Sequence, residues 1–140
     1  MKRSRWVVLA LLVPLLATVG LLCFGMKESD RHQTQHEAIA HSCDVLLACE
    51  SYYRHPDSGK KYPSGLTDLV EPPFGGSSFL RERDLIDPWG NPYRFATVRG
   101  AKGDTELYVW AERVVGGKRK LLGAKMAPGG QPELFGLPEG

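Results

Sequence analysis

Polar and apolar positions along this chain follow three successive patterns. Residues 6–25, from Trp6 to Gly25, are apolar and carry no charge. Residues 27–53 contain neither Pro nor Gly, and there Ile39, Cys43, Leu46, Cys49 or Glu50, and Tyr53 recur at spacings of three and four. That period predicts an amphipathic helix with one narrow apolar stripe. From residue 93 the period shortens to two: Tyr93, Phe95 and Thr97 share one side of a strand, and residues 106–112 alternate likewise. The stretch Gly100 to Asp104 between them is turn-rich, so the two strands are expected to form an antiparallel hairpin.

Breakers set the remaining boundaries. Pro56, with Asp57-Ser58-Gly59 behind it, stops the helix near His55. No breaker except Gly25 separates the two helical stretches, so one helix over residues 6–53 is expected, roughly 70 Å long at about 1.5 Å per residue. Its part after the apolar segment, through His41, is mostly polar and is expected to project as a stalk. Residues 62–70 read as a turn and short helix with Ser64 as N-cap and Leu66, Leu69 and Val70 on one face, ended by Pro72 and Pro73. Residues 118–122 add a third strand at the sheet edge, where Lys118, Arg119 and Lys120 discourage further pairing. From Pro128 the chain is rich in Gly and Pro and is expected to be a tail of little regular structure, with Leu134, Phe135 and Leu137 as anchors. The expected fold is α+β, a small antiparallel sheet laid on the lower half of the long helix, with Trp89, Phe95 and Trp110 covering Leu46 and Tyr53.

The uncharged segment 6–25 is long enough for a bilayer core of roughly 30 Å. Lys2, Arg3 and Arg5 precede it and place the N-terminus in the cytoplasm, which sends the rest of the chain across the membrane. A cleaved signal peptide is the competing reading, although its apolar core is usually only about 7–15 residues. Cys23-Phe24-Gly25 is a weak cleavage site, and a lipoprotein reading through Cys23 is poorer because Leu22 stands where a small residue is wanted. Pro14 leaves the Ala10 carbonyl without its helical donor and predicts a kink, which membrane helices tolerate.

Between the helix and the hairpin lies the heptad Asp87-Pro88-Trp89-Gly90-Asn91-Pro92-Tyr93. Two prolines fix φ, Gly90 permits positive φ, and Asp87 and Asn91 can bond the backbone of their own turns. The result is a rigid corner from which Trp89 and Tyr93 project toward an apolar surface.

Charge and chemistry narrow the function. The formal net charge is +2 and comes mainly from the three basic residues ahead of the apolar segment, so the remainder is near neutral. No nucleic-acid footprint follows, and Arg81, Arg83, Lys118, Arg119 and Lys120 read as solvated faces. Cys43 and Cys49 sit six residues apart on one helix, roughly 9 Å along its axis, beyond the ~7 Å reach of a disulfide. Neither has an activating histidine on its face, so both read as small hydrophobes. His36 and His41 flank a segment resembling a zinc-protease helix, but a five-residue spacing turns them about 140° apart at about 3.6 residues per turn. His32 and His36 have the right i, i+4 spacing and nothing nearby to complete a site. Asp104, Glu106 and Glu112 place carboxylates near the hairpin, as strand edges commonly do. No phosphate loop or nucleophile elbow is present in the sequence, and no enzymatic activity or cofactor is expected.

A basic tip, an apolar helix continuing into an amphipathic one, then Tyr62-Pro63-Ser64-Gly65-Leu66-Thr67-Asp68-Leu69-Val70, then the heptad and a short sheet, resembles the major (G-type) pseudopilin family of type II secretion systems. The match covers Tyr62 to Phe95, with Tyr62, Pro63, Leu66 and Asp87, Pro88, Trp89, Gly90, Asn91, Pro92 and Tyr93 as its fold signature. The resemblance implies a type IV pilin-like fold and a non-catalytic structural subunit. It also implies a single-pass inner-membrane location with a periplasmic head, and membrane and secretion-system subunits, itself included, as partners. On this reading residues 1–5 are a cytoplasmic tip, 6–25 the transmembrane helix, 26–55 the stalk, 56–127 the head and 128–140 the tail.

Two positions depart from the family. It is processed after a glycine that precedes phenylalanine, with glutamate at the fifth mature position, and aligning the basic tips puts Arg5, Trp6 and Ala10 there. Its acidic calcium loop corresponds to Arg113-Val114-Val115-Gly116-Gly117-Lys118-Arg119-Lys120, which offers cations where calcium needs oxygen ligands. No metal is therefore expected. A monomeric membrane-anchored binding module of the same fold is the alternative, and a secreted, cleaved binding domain the third reading.

Overall fold

The computed structural model describes residues 32–136. The chain divides into two compact units, Met1–Thr34 and Gln35–Gly140. Of the first, only the helical residues 32–34 are described. The expected tip, the transmembrane helix with its Pro14 kink, and Cys23 all lie outside the described residues. Among the described residues no helix is long and apolar enough to cross a membrane.

Helix α1 occupies residues 32–54. It ends because Pro56 excludes helical geometry at the residue before it: His55 is extended, with φ −64° and ψ 135°. Ser58 closes the end by donating its hydroxyl to the carbonyls of Tyr53 (2.9 Å) and His55 (2.7 Å). Short 3₁₀ turns follow at Pro56–Ser58, Leu66–Leu69 and Glu82–Leu85. The sheet is an antiparallel meander: β1 Arg94–Arg99, β2 Thr105–Val115, β3 Lys118–Met126 and β4 Glu133–Phe135, in spatial order β1-β2-β3-β4. One helix packed on a four-stranded antiparallel sheet makes the fold α+β, as the periodicities predict.

The core lies between α1 and one sheet face. Ala38, Val45, Leu46, Cys49 and Tyr52 from the helix meet Leu107, Val109 and Ala111 of β2 and Ala124 and Met126 of β3, all of them buried. Residues 107, 109 and 111 share a face because side chains alternate along a strand. The same alternation corrects the place of Trp110. Arg94 pairs with Trp110 and Phe95 with Val109, so Phe95 faces the helix and Trp110 faces the other way. Trp89 and Phe95 do pack on the helix-side core, as expected.

The buried helical stripe also differs from the expected one. It runs Gln35, Ala38, Ser42, Val45, Cys49 and Tyr52, with Ile39 and Leu46 beside it, whereas Cys43 and Tyr53 are only half-buried. Ala38 and Ser42 carry little hydrophobic signal, yet their small side chains let the head approach the helix backbone. From Gln35 onward the helix is therefore packed against the head, and the polar count through His41 does not describe a free stalk.

Two corrections concern the C-terminal strands. β3 extends to Met126 and is not an edge, because β4 pairs with it through Gly123↔Phe135, Ala124↔Leu134 and Lys125↔Glu133. Lys125 and Glu133 form an ion pair at 3.3 Å, and the rings of Phe135 and Tyr108 lie 6.3 Å apart. Three residues of the Gly/Pro-rich tail thus join the sheet, held by contacts that local composition does not reveal. β2 and β3 turn at Gly116 (φ 58°) and Gly117 (φ 75°), a two-residue hairpin loop whose positive φ values match the strand twist. The stretch from Arg113 to Lys120 is this hairpin and contributes no carboxylate.

Candidate functional site

The corner from Asp87 to Tyr93 is the best-organised polar feature among the described residues. Asp87 is buried, and its Oδ1 accepts from the backbone N–H of Trp89 (2.9 Å) and of Asn91 (2.8 Å). The Asp87 N–H donates to the Asn91 carbonyl at 2.7 Å, and the Gly90 N–H to the Asp87 carbonyl at 3.0 Å. Gly90 sits at φ 85°, a conformation that side-chain-bearing residues rarely adopt. Pro88 and Pro92 lack N–H groups, so neither adds an unsatisfied donor. Pro92 bridges Ile86, and the Tyr93 N–H donates to the Leu85 carbonyl at 2.9 Å. Asp87 is the centre of the turn; its second oxygen is buried and makes no hydrogen bond.

Tyr93 carries the corner to the helix. Its hydroxyl donates to the Ala38 carbonyl at 3.0 Å, 55 residues away in sequence, and that carbonyl also accepts from Ser42 Oγ at 2.8 Å. Burial, reinforced by the carboxylates of Asp87, Glu37 and Asp44, pushes the Tyr93 phenol well above the usual tyrosine range. It stays a donor at all physiological pH. Trp89 packs at the core margin with the Arg113 guanidinium 4.7 Å from its ring centroid.

The upstream half of the signature forms a separate clamp. Tyr62 stacks on Tyr53 at 4.6 Å and donates its hydroxyl to Glu50 Oε2 at 3.0 Å, while Glu50 Oε1 pairs with Arg54. Burial first, then the Glu50 hydrogen bond, raises the Tyr62 phenol strongly. Pro63 is fully buried and Leu66 packs on the core. The capping expectation is corrected: the short helix starts from Gly65, and Ser64 donates its N–H (2.9 Å) and hydroxyl (2.7 Å) to Asp68 Oδ2. Asp68, inside the turn, caps backward.

Two residues missed by the periodicity complete this region. Phe74 and Phe79 enclose Tyr52 at centroid distances of 5.2 and 5.5 Å, and His55 stacks on Phe74 at 4.7 Å. The Leu69 carbonyl fixes their loop by accepting from the N–H groups of Phe79 (2.7 Å) and Leu80 (3.1 Å). Isolated aromatics in a Pro/Gly-rich loop were the only signal in the sequence.

The reactive side chains stay apart. Cys43 and Cys49 are free thiols; burial pushes Cys49 up to about 12, and burial with the neighbouring Asp44 raises Cys43. Both are poor nucleophiles in the folded chain. His36 and His41 are exposed on α1. Among the described residues no three His, Cys, Asp or Glu side chains come together to hold a metal ion.

Two of the concave surfaces among the described residues lie on the sheet. A cleft of about 500 Å³ lies beside the corner, lined by Trp89, Asn91, Pro92, Arg94, Glu112, Arg113, Val114 and Arg119. A shallower groove of about 270 Å³ on the outer sheet face is wholly apolar, formed by Ala96, Val98, Tyr108, Trp110, Leu121 and Phe135. No protein-family model, curated protein or solved structure matches the chain.

Proposed function

We propose that the chain is a structural, pseudopilin-like subunit of a type II secretion or related pilus-type assembly. It is anchored in the inner membrane by residues 6–25, with its head in the periplasm. The observation that carries the reading is the Tyr93–Ala38 contact, by which the heptad corner fixes a small antiparallel sheet on a long helix. A subunit that transmits force from a membrane-rooted helix to a head needs such a fixed joint. It needs no active site, and the side chains with chemical potential here are dispersed or engaged in turns. The apolar outer sheet face offers a surface on which neighbouring copies or subunits can pack. The same fold would also serve a monomeric anchored binding module, a reading favoured by the arginine-lined cleft beside Trp89.

Membrane fractionation followed by intact-mass measurement tests the anchoring half of this reading. A retained anchor predicts a membrane-bound chain that begins at Met1 or, if a prepilin-type peptidase acts, at a methylated Trp6. A chain recovered in the soluble fraction and cut beyond Gly25 would contradict it.

A further inference from the structure

β2 outlasts its neighbour. Its pairing with β1 ends at Arg94↔Trp110, but β2 continues to Val115, paired on its other side with β3. Residues 112–115 therefore have one free strand edge, beginning just past the buried Ala111, and among the described residues their backbone makes no hydrogen bond outside the β2–β3 ladder. An unpaired edge of this kind is a template for an added strand. Across from it stands the corner, so the free edge forms one wall of the 500 Å³ cleft and Trp89 with Pro92 forms part of the other.

The charges in the cleft are one-sided. Arg94, Arg113 and Arg119 line it, and none of the three has a carboxylate partner among the described residues. Its one acid, Glu112, accepts the indole N–H of Trp110 at 3.4 Å. Arg113 lies on the Trp89 ring, which orients its guanidinium without neutralising it. Guanidinium groups favour planar oxyanions, which they bind through paired N–H donors. A free strand edge favours a peptide over a small anion, because a phosphate leaves the backbone donors and acceptors unused.

We propose that this cleft docks an extended acidic peptide segment of a partner protein. The segment adds to the free edge of β2 at residues 112–115, lays an apolar side chain on Trp89 beside Arg113, and places its carboxylates against Arg94 and Arg119 on the outer face of the sheet. This claim is independent of any filament role.

The probe is a fluorescent peptide, acetyl-Glu-Val-Asp-Val-Glu-amide, titrated by anisotropy into the purified full-length chain at low salt. Saturable binding is expected, weakening as salt screens the arginines. It should drop about tenfold or more in the Arg94→Glu/Arg119→Glu chain and severalfold in the milder Arg94→Gln/Arg119→Gln chain. Two ligand changes leave the protein untouched: the Gln-Val-Asn-Val-Gln analogue should lose binding, and so should a peptide N-methylated at alternate amides. The proposal is overturned by an absence of saturable binding, or by equal binding of the N-methylated peptide. Full competition by inorganic pyrophosphate at the same affinity would overturn it too, marking a small-anion site.

Discussion

Asp87 concentrates the information of the corner in one side chain. Its carboxylate satisfies two backbone N–H groups that the turn would otherwise bury without partners. Asp87→Ala should therefore lower unfolding stability by about 2–4 kcal/mol, as expected for two lost charge-assisted bonds. Asp87→Asn, which keeps an acceptor at Oδ1, should lose half of that or less; chemical denaturation of the two variants measures the difference. Tyr93→Phe removes only the hydroxyl to Ala38, whose carbonyl keeps Ser42 as a donor, and should cost about 0.5–1.5 kcal/mol. Cys49 makes a prediction about pH. Its thiol is raised from an ordinary value of 9.0 to about 12, so above pH 9 the unfolded chain releases a proton that the folded chain keeps. Stability should be independent of this group below pH 9 and fall as pH rises toward 12, by up to about 1.4 kcal/mol per pH unit. Cys49→Ala should flatten that alkaline slope in a series of unfolding curves, leaving the later contribution of the raised Tyr62 and Tyr93 phenols.

At the level of elements, β3 is fixed by what its neighbours leave no room for. A Cβ at Gly123 would collide with the Val109 carbonyl oxygen and come within 2.7 Å of Trp110 Cα. Gly123→Ala should force β2 and β3 apart and cost about 1–3 kcal/mol in thermal or denaturant unfolding. The first hairpin and the end of α1 were legible in the sequence because local chemistry decides them: Pro56, the turn-rich stretch Gly100 to Asp104, and the alternation from Tyr93 and Glu106. The heptad was legible as a corner for the same reason. The strand formed by residues 133–135 was not, since its pairing rests on Lys125 and Tyr108, far away along the chain. Trp110 was misplaced because alternation fixes which residues share a face but leaves open which face turns to the helix until the register is known. The helical stripe shifted because Ala38 and Ser42 matter here through their small size, which a hydrophobic pattern does not register.

For the described residues as a whole, the head is bound to the helix by hydrogen bonds at two separated points, Tyr93 on Ala38 and Tyr62 on Glu50. Such a head moves with the described helix, which is what the proposed structural role would require. The arginine cleft was only partly readable from sequence: Arg119 read as a solvated charge and Arg113 only as a cation of the 113–120 stretch, and only the hairpin with the corner brings them beside Trp89 and Arg94. The proposed assembly is open to cysteine crosslinking in intact membranes. Single cysteines would be placed along residues 6–31 of a chain whose own Cys23, Cys43 and Cys49 are replaced. Oxidised dimers between copies, or adducts with other pilin-type subunits, are expected at positions recurring every three to four residues. A chain that yields no intermolecular product at any of these positions, while remaining folded in the membrane, would contradict it.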